Sequence, residues 1–244
     1  MFSYYGSKSK IIQHYPRPSY DKIIEPFAGS ARYSLRYFDK DILLVDKYKV
    51  IVDVWHYLQN ASEKDILGLP ILEQGQFLTD FDLSESEKLF MGFIIACAGI
   101  TPRNKISPFV YRDLSSRLKF RIKETAANLY KIKHWKIIHG SYEDLENEKA
   151  TWFIDPPYQI GGNHYRESNK NLDFNSLANW CKSRLGQVIV CENTKATWMN
   201  FKPILQIQGV SNTNTTEAIW TNFKTQYDSI QQDLFGRGQE KISA

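Results

Sequence analysis

The stretch Thr151-Trp152-Phe153-Ile154-Asp155-Pro156-Pro157-Tyr158 decides the fold. Residues 151–154 suit a buried strand. Proline has no N–H to give a sheet ladder, so the strand must stop at Asp155. The chain then turns, with Tyr158 held just beyond the turn. In an open α/β sheet, ligands bind outside the carboxyl ends of the strands. Asp155 and Tyr158 are therefore expected to face a crevice.

A chemistry follows from those residue types. The Asp155 carboxylate and the Pro156 carbonyl can both accept hydrogen bonds from an –NH₂ group. The lone pair of an exocyclic amine on a nucleobase is delocalised into the ring. Two acceptors on its hydrogens favour a pyramidal nitrogen, whose lone pair can attack an electrophile. Tyr158 adds a flat face for stacking, so the stretch suits a flipped-out base with a nucleophilic amine. The alternative is a plain turn, with Asp155 capping a helix and Tyr158 packed in the core. Asp-Pro-Pro-Tyr resembles the catalytic motif of amino-methyltransferases that use S-adenosylmethionine (AdoMet). The chain as a whole resembles the Dam-like DNA adenine methyltransferases, the α group of that class. The resemblance implies Asp155, Pro156, Pro157 and Tyr158 as catalytic residues.

Upstream, Ile23 and Ile24 read as a short buried strand, Gly29 as a tight turn, and Ala31 to Phe38 as a helix. This strand–turn–helix opens a nucleotide-binding α/β sheet. It resembles the family's Glu-Pro-Phe-x-Gly-x-Gly, with Ala31 in place of the second glycine. The resemblance implies Glu25, Pro26, Phe27 and Gly29 around AdoMet, whose methionine portion needs close backbone approach. Ile42 to Val45 form a second strand ending at Asp46. An acid about 20 residues beyond the first motif is where such sheets bind ribose hydroxyls. Asp46 would otherwise cap the following Val50–Tyr57 helix. Tyr5, Gly6 and Lys8 match a family segment, Trp/Tyr-x-Gly-x-Lys, that lines the AdoMet pocket. Lys136 to His139 is another strand. Ser141 and Tyr142 beyond it match the family's contact to the AdoMet adenine, and the resemblance counts Asp155 among the cofactor-binding residues as well.

At 244 residues the chain is one large domain, or one domain with an insertion. The run Leu89–Ile100 is shorter than the about 20 residues that span a bilayer, so no membrane partner is expected. The first residues lack the apolar core of a signal peptide. Cys97, Cys181 and Cys191 are widely spaced among apolar neighbours, the usage of a reducing cytosol without metal spacing. The resemblance adds a cytoplasmic, nucleoid-associated setting in a prokaryote or phage.

Residues 61–136 fall outside the sheet pattern and read as a mainly helical DNA-recognition insertion. It would divide an AdoMet-binding catalytic domain made of residues 1–60 and 137–244. Ser84-x-x-Glu87 is a capping box that opens an apolar helix from Glu85 to Ala98. Between Thr101 and Lys136, ten basic side chains face only Asp113 and Glu124. Leu114, Leu118, Ile122, Ala126 and Leu129 recur at helical spacing, which leaves the charges on the other face. That face suits the phosphates of double-stranded DNA; a merely solvated basic face is the alternative. The resemblance places target recognition here. Arg103, Asn104, Lys105 and Tyr111 fall in a loop, with Arg112, Arg117 and Arg121 following. Asn and Arg are the residue types that read adenine and guanine edges. The glycine-bearing loop from Gln159 to Asn171 contributes Tyr165 and Arg166 as DNA contacts near the flipped base.

Asn175 to Leu185 reads as a helix stopped by Gly186, and Val188 to Cys191 as a strand. Leu205 to Val210 and Glu217 to Thr221 suggest the closing antiparallel pair of a seven-stranded, Rossmann-like AdoMet-dependent methyltransferase sheet. Beyond it, Gln231-Gln232-Asp233-Leu234-Phe235 resembles a sliding-clamp-binding peptide, with Gln231, Leu234 and Phe235 as its contacts. Ile230, Leu234 and Phe235 equally suit one face of a terminal helix.

The resemblance implies transfer of a methyl group from AdoMet to the N6 amine of a flipped-out adenine in DNA, with no metal. Three alternatives stay open. Cytosine N4 enzymes share the mechanism but usually carry Ser in place of Asp155. Enzymes acting on RNA or protein glutamine typically carry Asn there. A DNA-binding homologue with a dead methylase is the third.

Overall fold

The computed structural model describes residues 1–2, 4–8, 11–96, 99–106, 114–208 and 214–224. Tyr111, Arg112 and the candidate clamp residues Gln231, Leu234 and Phe235 lie outside them. The backbone alternates strand and helix: β1 (Lys22–Glu25), α1 (Arg32–Arg36), β2 (Asp41–Asp46), α2 (Lys49–Asn60), then α3 (Glu63–Leu67), α4 (Glu85–Ala96) and α5 (Leu114–Ala126). After these come β3 (Lys136–His139), β4 (Ala150–Ile154), α6 (Phe174–Ser183), β5 (Gly186–Asn193), β6 (Lys202–Gln208) and β7 (Asn214–Thr221).

The strands form one seven-stranded sheet in the order β3-β2-β1-β4-β5-β7-β6. The first five are parallel to their neighbours, and β7 runs antiparallel to both β5 and β6. This is the seven-stranded, Rossmann-like α/β sheet expected above, with its closing antiparallel pair. Its order reverses between β1 and β4, so the crevice of such a sheet opens between Glu25 and Asp155.

Period-two alternation sends each strand's apolar residues to two cores. Ile23, Ile42, Leu44, Phe153, Ile189 and Ile219 face one core, shared with α2, α4 and α5 through Trp55, Phe93 and Ile122. Ile24, Leu43, Val45, Trp152, Ile154 and Val190 face the other, covered by Leu177 and Cys181 of α6. The helices of residues 61–136 thus pack on the same core as α2. In α5, Leu118, Ile122 and Ala126 are buried, as their spacing requires, and Leu129 follows them inward. Among the described residues no helix is long and apolar enough to cross a membrane.

Several boundaries differ from the sequence reading. α1 is shorter than the expected Ala31–Phe38, because Ala31 is its left-handed N-cap (φ 43°). α6 begins one residue earlier, since Asp173 caps it by accepting from the N–H groups of Asn175 (2.9 Å) and Ser176 (3.2 Å). Gly186 is not the helix stop. It opens β5 at φ 95°, and a Cβ there would lie 2.3 Å from the Ala150 carbonyl oxygen. Backbone crowding by β4, rather than helix termination, requires the glycine. The Ser84–Glu87 capping box is present, with the Ser84 N–H donating to the Glu87 carboxylate at 2.7 Å.

Candidate active site

The sheet's carboxyl edge brings together segments far apart in the chain. A cavity of about 340 Å³ opens there, within the range of roughly 300–1,000 Å³ typical of small-molecule sites. Tyr5, Gly6 and Lys8 line it from the N-terminal segment, and Glu25, Pro26, Phe27 and Gly29 from the end of β1. Asp46 of β2, Ser141 and Tyr142 after β3, and Asp155 after β4 complete the wall. Glu143, Glu167 and Asp173 add further acids around it.

The N-terminal segment is held in place by packing. Phe2 sits 5.1 Å (ring centroids) from Trp55 of α2 and 5.5 Å from Phe93 of α4. Tyr4 meets Phe93 edge-on. Arg32 donates to the Phe2 carbonyl at 2.6 Å and to the Ser7 hydroxyl at 3.1 Å. Gly6 takes φ 74°, and a Cβ there would run into the Tyr165 hydroxyl.

Three carboxyl groups stand at the ends of three neighbouring strands, and burial raises the pKa of each. Glu25 accepts from the Ser34 N–H at 2.7 Å; its carboxyl is pushed up to about 8, chiefly by burial. Asp46 accepts from the Gly29 N–H with one oxygen and the Tyr48 N–H with the other, both at 2.9 Å. It is pushed up to about 6, again by burial, with the two N–H groups pulling the other way. Asp46 therefore tethers the turn before α2 while facing the cavity; the N-cap of α2 is Tyr48, and no side chain caps that helix. Each oxygen keeps a second lone pair for a hydroxyl donor. Asp155 is raised by burial against the pull of Lys8.

Asp155 differs from the other two in its partner. The Lys8 ammonium lies 2.9 Å from its Oδ1. Lys8 also donates to the Gly6 carbonyl at 3.3 Å and sits 4.7 Å from the centre of the Tyr158 ring. Burial works against its charge, but Asp155 and Glu217 outweigh that and hold it protonated. The Tyr158 hydroxyl donates to Glu217, as does the Tyr15 hydroxyl at 2.6 Å. Pro156 and Pro157 are buried, which fixes the turn. The following N–H, that of Gln159, is held by Glu192 at the end of β5. Tyr15, Glu192 and Glu217 were not singled out from the sequence. For the two glutamates the one local signal is a single acid in an otherwise uncharged strand, and Tyr15 has none.

On the aromatic side, Phe27 stacks on Tyr142 (5.5 Å, 30°), and Tyr142 meets Trp180 of α6 edge-on. Ala31 occupies a left-handed conformation (φ 43°) that a glycine would adopt freely; for an L-residue this costs roughly 1–2 kcal/mol. Tyr165 packs against Tyr4 and Tyr5, with its hydroxyl 3.3 Å from the Tyr5 carbonyl. It lines the cavity, whereas Arg166 is exposed.

The remaining candidates lie on residues 61–136. Arg103, Asn104 and Lys105 are exposed after α4. Lys105 pairs with Phe77 in an antiparallel bridge and lies 4.6 Å from its ring centre. Arg117 is exposed on α5, while Arg121 contacts Glu124 at 3.3 Å. Lys133, counted in the same basic stretch, donates to the Gln59 and Ala61 carbonyls at the end of α2. Part of the positive surplus therefore serves the fold. Among the described residues no cluster could hold a metal ion.

No family model matches the chain, and neither does any curated protein. Among solved structures it is similar to a protein provisionally named methyltransferase yhhF from Escherichia coli, with TM-score 0.35 and 10% identity over 89% of this chain and 81% of that one. It is also similar to a protein provisionally named methylase HI0767 from Haemophilus influenzae, with TM-score 0.35 and 9% identity over 83% and 80%. Likeness this distant carries no argument about the substrate.

Proposed function

We propose that the chain is an AdoMet-dependent DNA methyltransferase that modifies the N6 amine of a flipped-out adenine. One observation carries the reading: Asp155, at the strand end beside the sheet's reversal point, borders both the cavity and the Asp-Pro-Pro-Tyr turn. The cavity suits the cofactor. Asp46 retains lone pairs for ribose hydroxyls, Ser141 and Tyr142 flank space for a planar adenine, and Gly29 leaves the wall without a side chain. The wall's carboxylates favour a cation, and the faces of Phe27 and Tyr5 can border a sulfonium.

Bound there, AdoMet supplies a methyl group on a sulfonium, which departs as a neutral thioether. The chain's residues do the rest. Asp155 and the Pro156 carbonyl accept the two amine hydrogens and turn the nitrogen lone pair toward the methyl carbon. Tyr158 stacks on the base. Asp155, its carboxyl raised by burial, would take the proton that the amine gives up on methylation. No covalent nucleophile is required. Arg103, Asn104, Lys105, Arg117 and Arg121, with Tyr165 at the cavity wall and the exposed Arg166 beside it in sequence, supply groups for backbone and base contacts to double-stranded DNA. Tyr111 and Arg112 extend that set in sequence.

The test is incubation with labelled AdoMet and DNA, RNA or protein, followed by digestion of the product. Label in N6-methyladenine from DNA is expected. Label in N4-methylcytosine, RNA or glutamine would replace the reading with one of its rivals. DNA binding should weaken steeply with salt, and charge reversal of Arg117 should reduce the logarithmic slope by about one. An unchanged slope would leave α5 as a solvated face.

A further inference from the structure

We propose that Glu217, on the reversed strand β7, is a positioning residue for the reacting face of the Asp-Pro-Pro-Tyr turn. The inference rests on the function proposed above and adds a residue that the catalytic motif does not contain. Glu217 is almost fully buried, with 6% of its surface exposed. It lies in the middle of the sheet, paired with Asn193 of β5 on one side and Leu205 of β6 on the other. Its backbone therefore has little freedom. An acid so placed costs free energy unless its charge is met.

Three donors meet it. The hydroxyls of Tyr15 and Tyr158 converge on Oε1, and the Lys8 ammonium lies 3.8 Å from the same atom. Each of the three contacts bears on the catalytic turn. The bond to Tyr158 fixes the ring on which the base would stack. The bond to Tyr15 ties Glu217 to a ring that packs edge-on against Phe153 of β4. Glu217 adds to the larger pull of Asp155 in keeping Lys8 an ammonium although it is buried, and Lys8 in turn holds Asp155 Oδ1. Glu217 thus acts through Lys8 and Tyr158, without touching the reacting atoms. The groups facing Lys8 are Asp155 from β4, Glu217 from β7, Cys191 from β5 and Tyr165 from the loop beyond the turn. Removal of Glu217 leaves Asp155 as the one carboxylate against Lys8 among them.

The experiment uses the full chain and the variants Glu217→Gln, Glu217→Asp and Tyr15→Phe. Glu217→Gln keeps the side chain's size and an acceptor oxygen but removes the charge. Its kcat should fall ten- to a hundredfold, of the order of a misplaced reacting group, while the AdoMet Michaelis constant stays within twofold. Glu217→Asp should recover part of that loss, and Tyr15→Phe, which removes one donor but leaves the carboxylate, should lower kcat by less than Glu217→Gln does. Selectively ¹⁵N-lysine-labelled protein supplies a second readout, with the Lys8 ammonium signal assigned by its absence in Lys8→Arg. In Glu217→Gln that signal should deprotonate at lower pH than in the parent. An unchanged kcat, an equal loss of AdoMet affinity, or an unmoved Lys8 titration would overturn the inference. If the parent methylates no DNA, the acceptor reading fails by itself, and the Lys8 titration still decides whether Glu217 governs that ammonium.

Discussion

Asp155 and Asp46 occupy equivalent places, each at the carboxyl end of a parallel strand and each facing the same cavity, yet they are held in opposite ways. Asp46 is bound by backbone N–H groups of Gly29 and Tyr48, from the adjoining strand end and its own turn. Asp155 is bound by a side chain from the first residues of the chain, which a second acid on β7 also steadies. Backbone donors make a rigid, uncharged cradle that suits a ligand which binds and leaves unchanged in form. A side-chain ammonium makes a partner whose acceptor oxygen an incoming amine can share. The difference separates a group suited to holding a cofactor from one suited to chemistry.

Replacing each acid breaks the comparison most directly. Asp155→Ala should lower kcat about a thousandfold, the scale of losing one preorganised polar contact to the reacting centre. Its AdoMet affinity should stay near the parent's, because the cofactor gains little from this oxygen. Equal loss of AdoMet affinity in calorimetry would make Asp155 a cofactor ligand instead.

Asp46→Ala should do the reverse, raising the AdoMet Michaelis constant about tenfold or more, the value of one hydrogen bond to a charged group. It also strands the Gly29 and Tyr48 N–H groups, so the melting temperature should drop as well. Unaltered AdoMet binding would confine Asp46 to the turn.

A pH experiment sharpens the contrast without removing a side chain. Asp46 has its carboxyl pushed up from 3.8 to about 6 in the folded protein. A folded pKa above the unfolded one means the neutral acid is favoured by folding. Its contribution is fully present below about pH 4 and is lost as pH rises through about 6. Between pH 4 and pH 7 the cofactor-free parent should lose stability relative to Asp46→Asn, which cannot ionise. Parallel denaturation curves at both pH values would contradict the burial of that charge.

The smallest effect belongs to the turn that supplies the N–H of Gly29. Ala31→Gly relieves a left-handed alanine but frees the unfolded chain, so the net gain should be under about 1 kcal/mol. The melting temperature should rise by at most a few degrees. A drop would show that the Ala31 methyl group, which is buried, contributes more by packing than its backbone costs.

Much of the sheet was legible because strand ends are marked by local chemistry. Pro156 ends β4, Asp46 ends β2, and Ile23-Ile24 and Val188–Cys191 carry the apolar runs of strands covered on both faces. Boundaries set by contact were not legible. Gly186 resembles a helix stop until Ala150 is seen against it, and Ala31 resembles a first helical residue until its φ is known. The basic stretch was legible as a charge count, but not as the separate uses of Lys133 at the end of α2, Arg121 beside Glu124 and Lys105 over Phe77.

By itself the sequence determined the order of the segments, the alternation that builds two cores, and the residues that end the strands facing the cavity. Each depends on neighbours a few positions apart, where proline, glycine and side-chain periodicity act directly on the backbone. The tertiary structure alone decided that Lys8 meets Asp155, that Tyr15 and Tyr158 share Glu217, and that Tyr165 closes on Tyr5. Those contacts join residues 59 to 202 positions apart. Their geometry depends on strand register, on the reversal of β7, and on burial that makes an unmet charge costly. No local pattern carries that information.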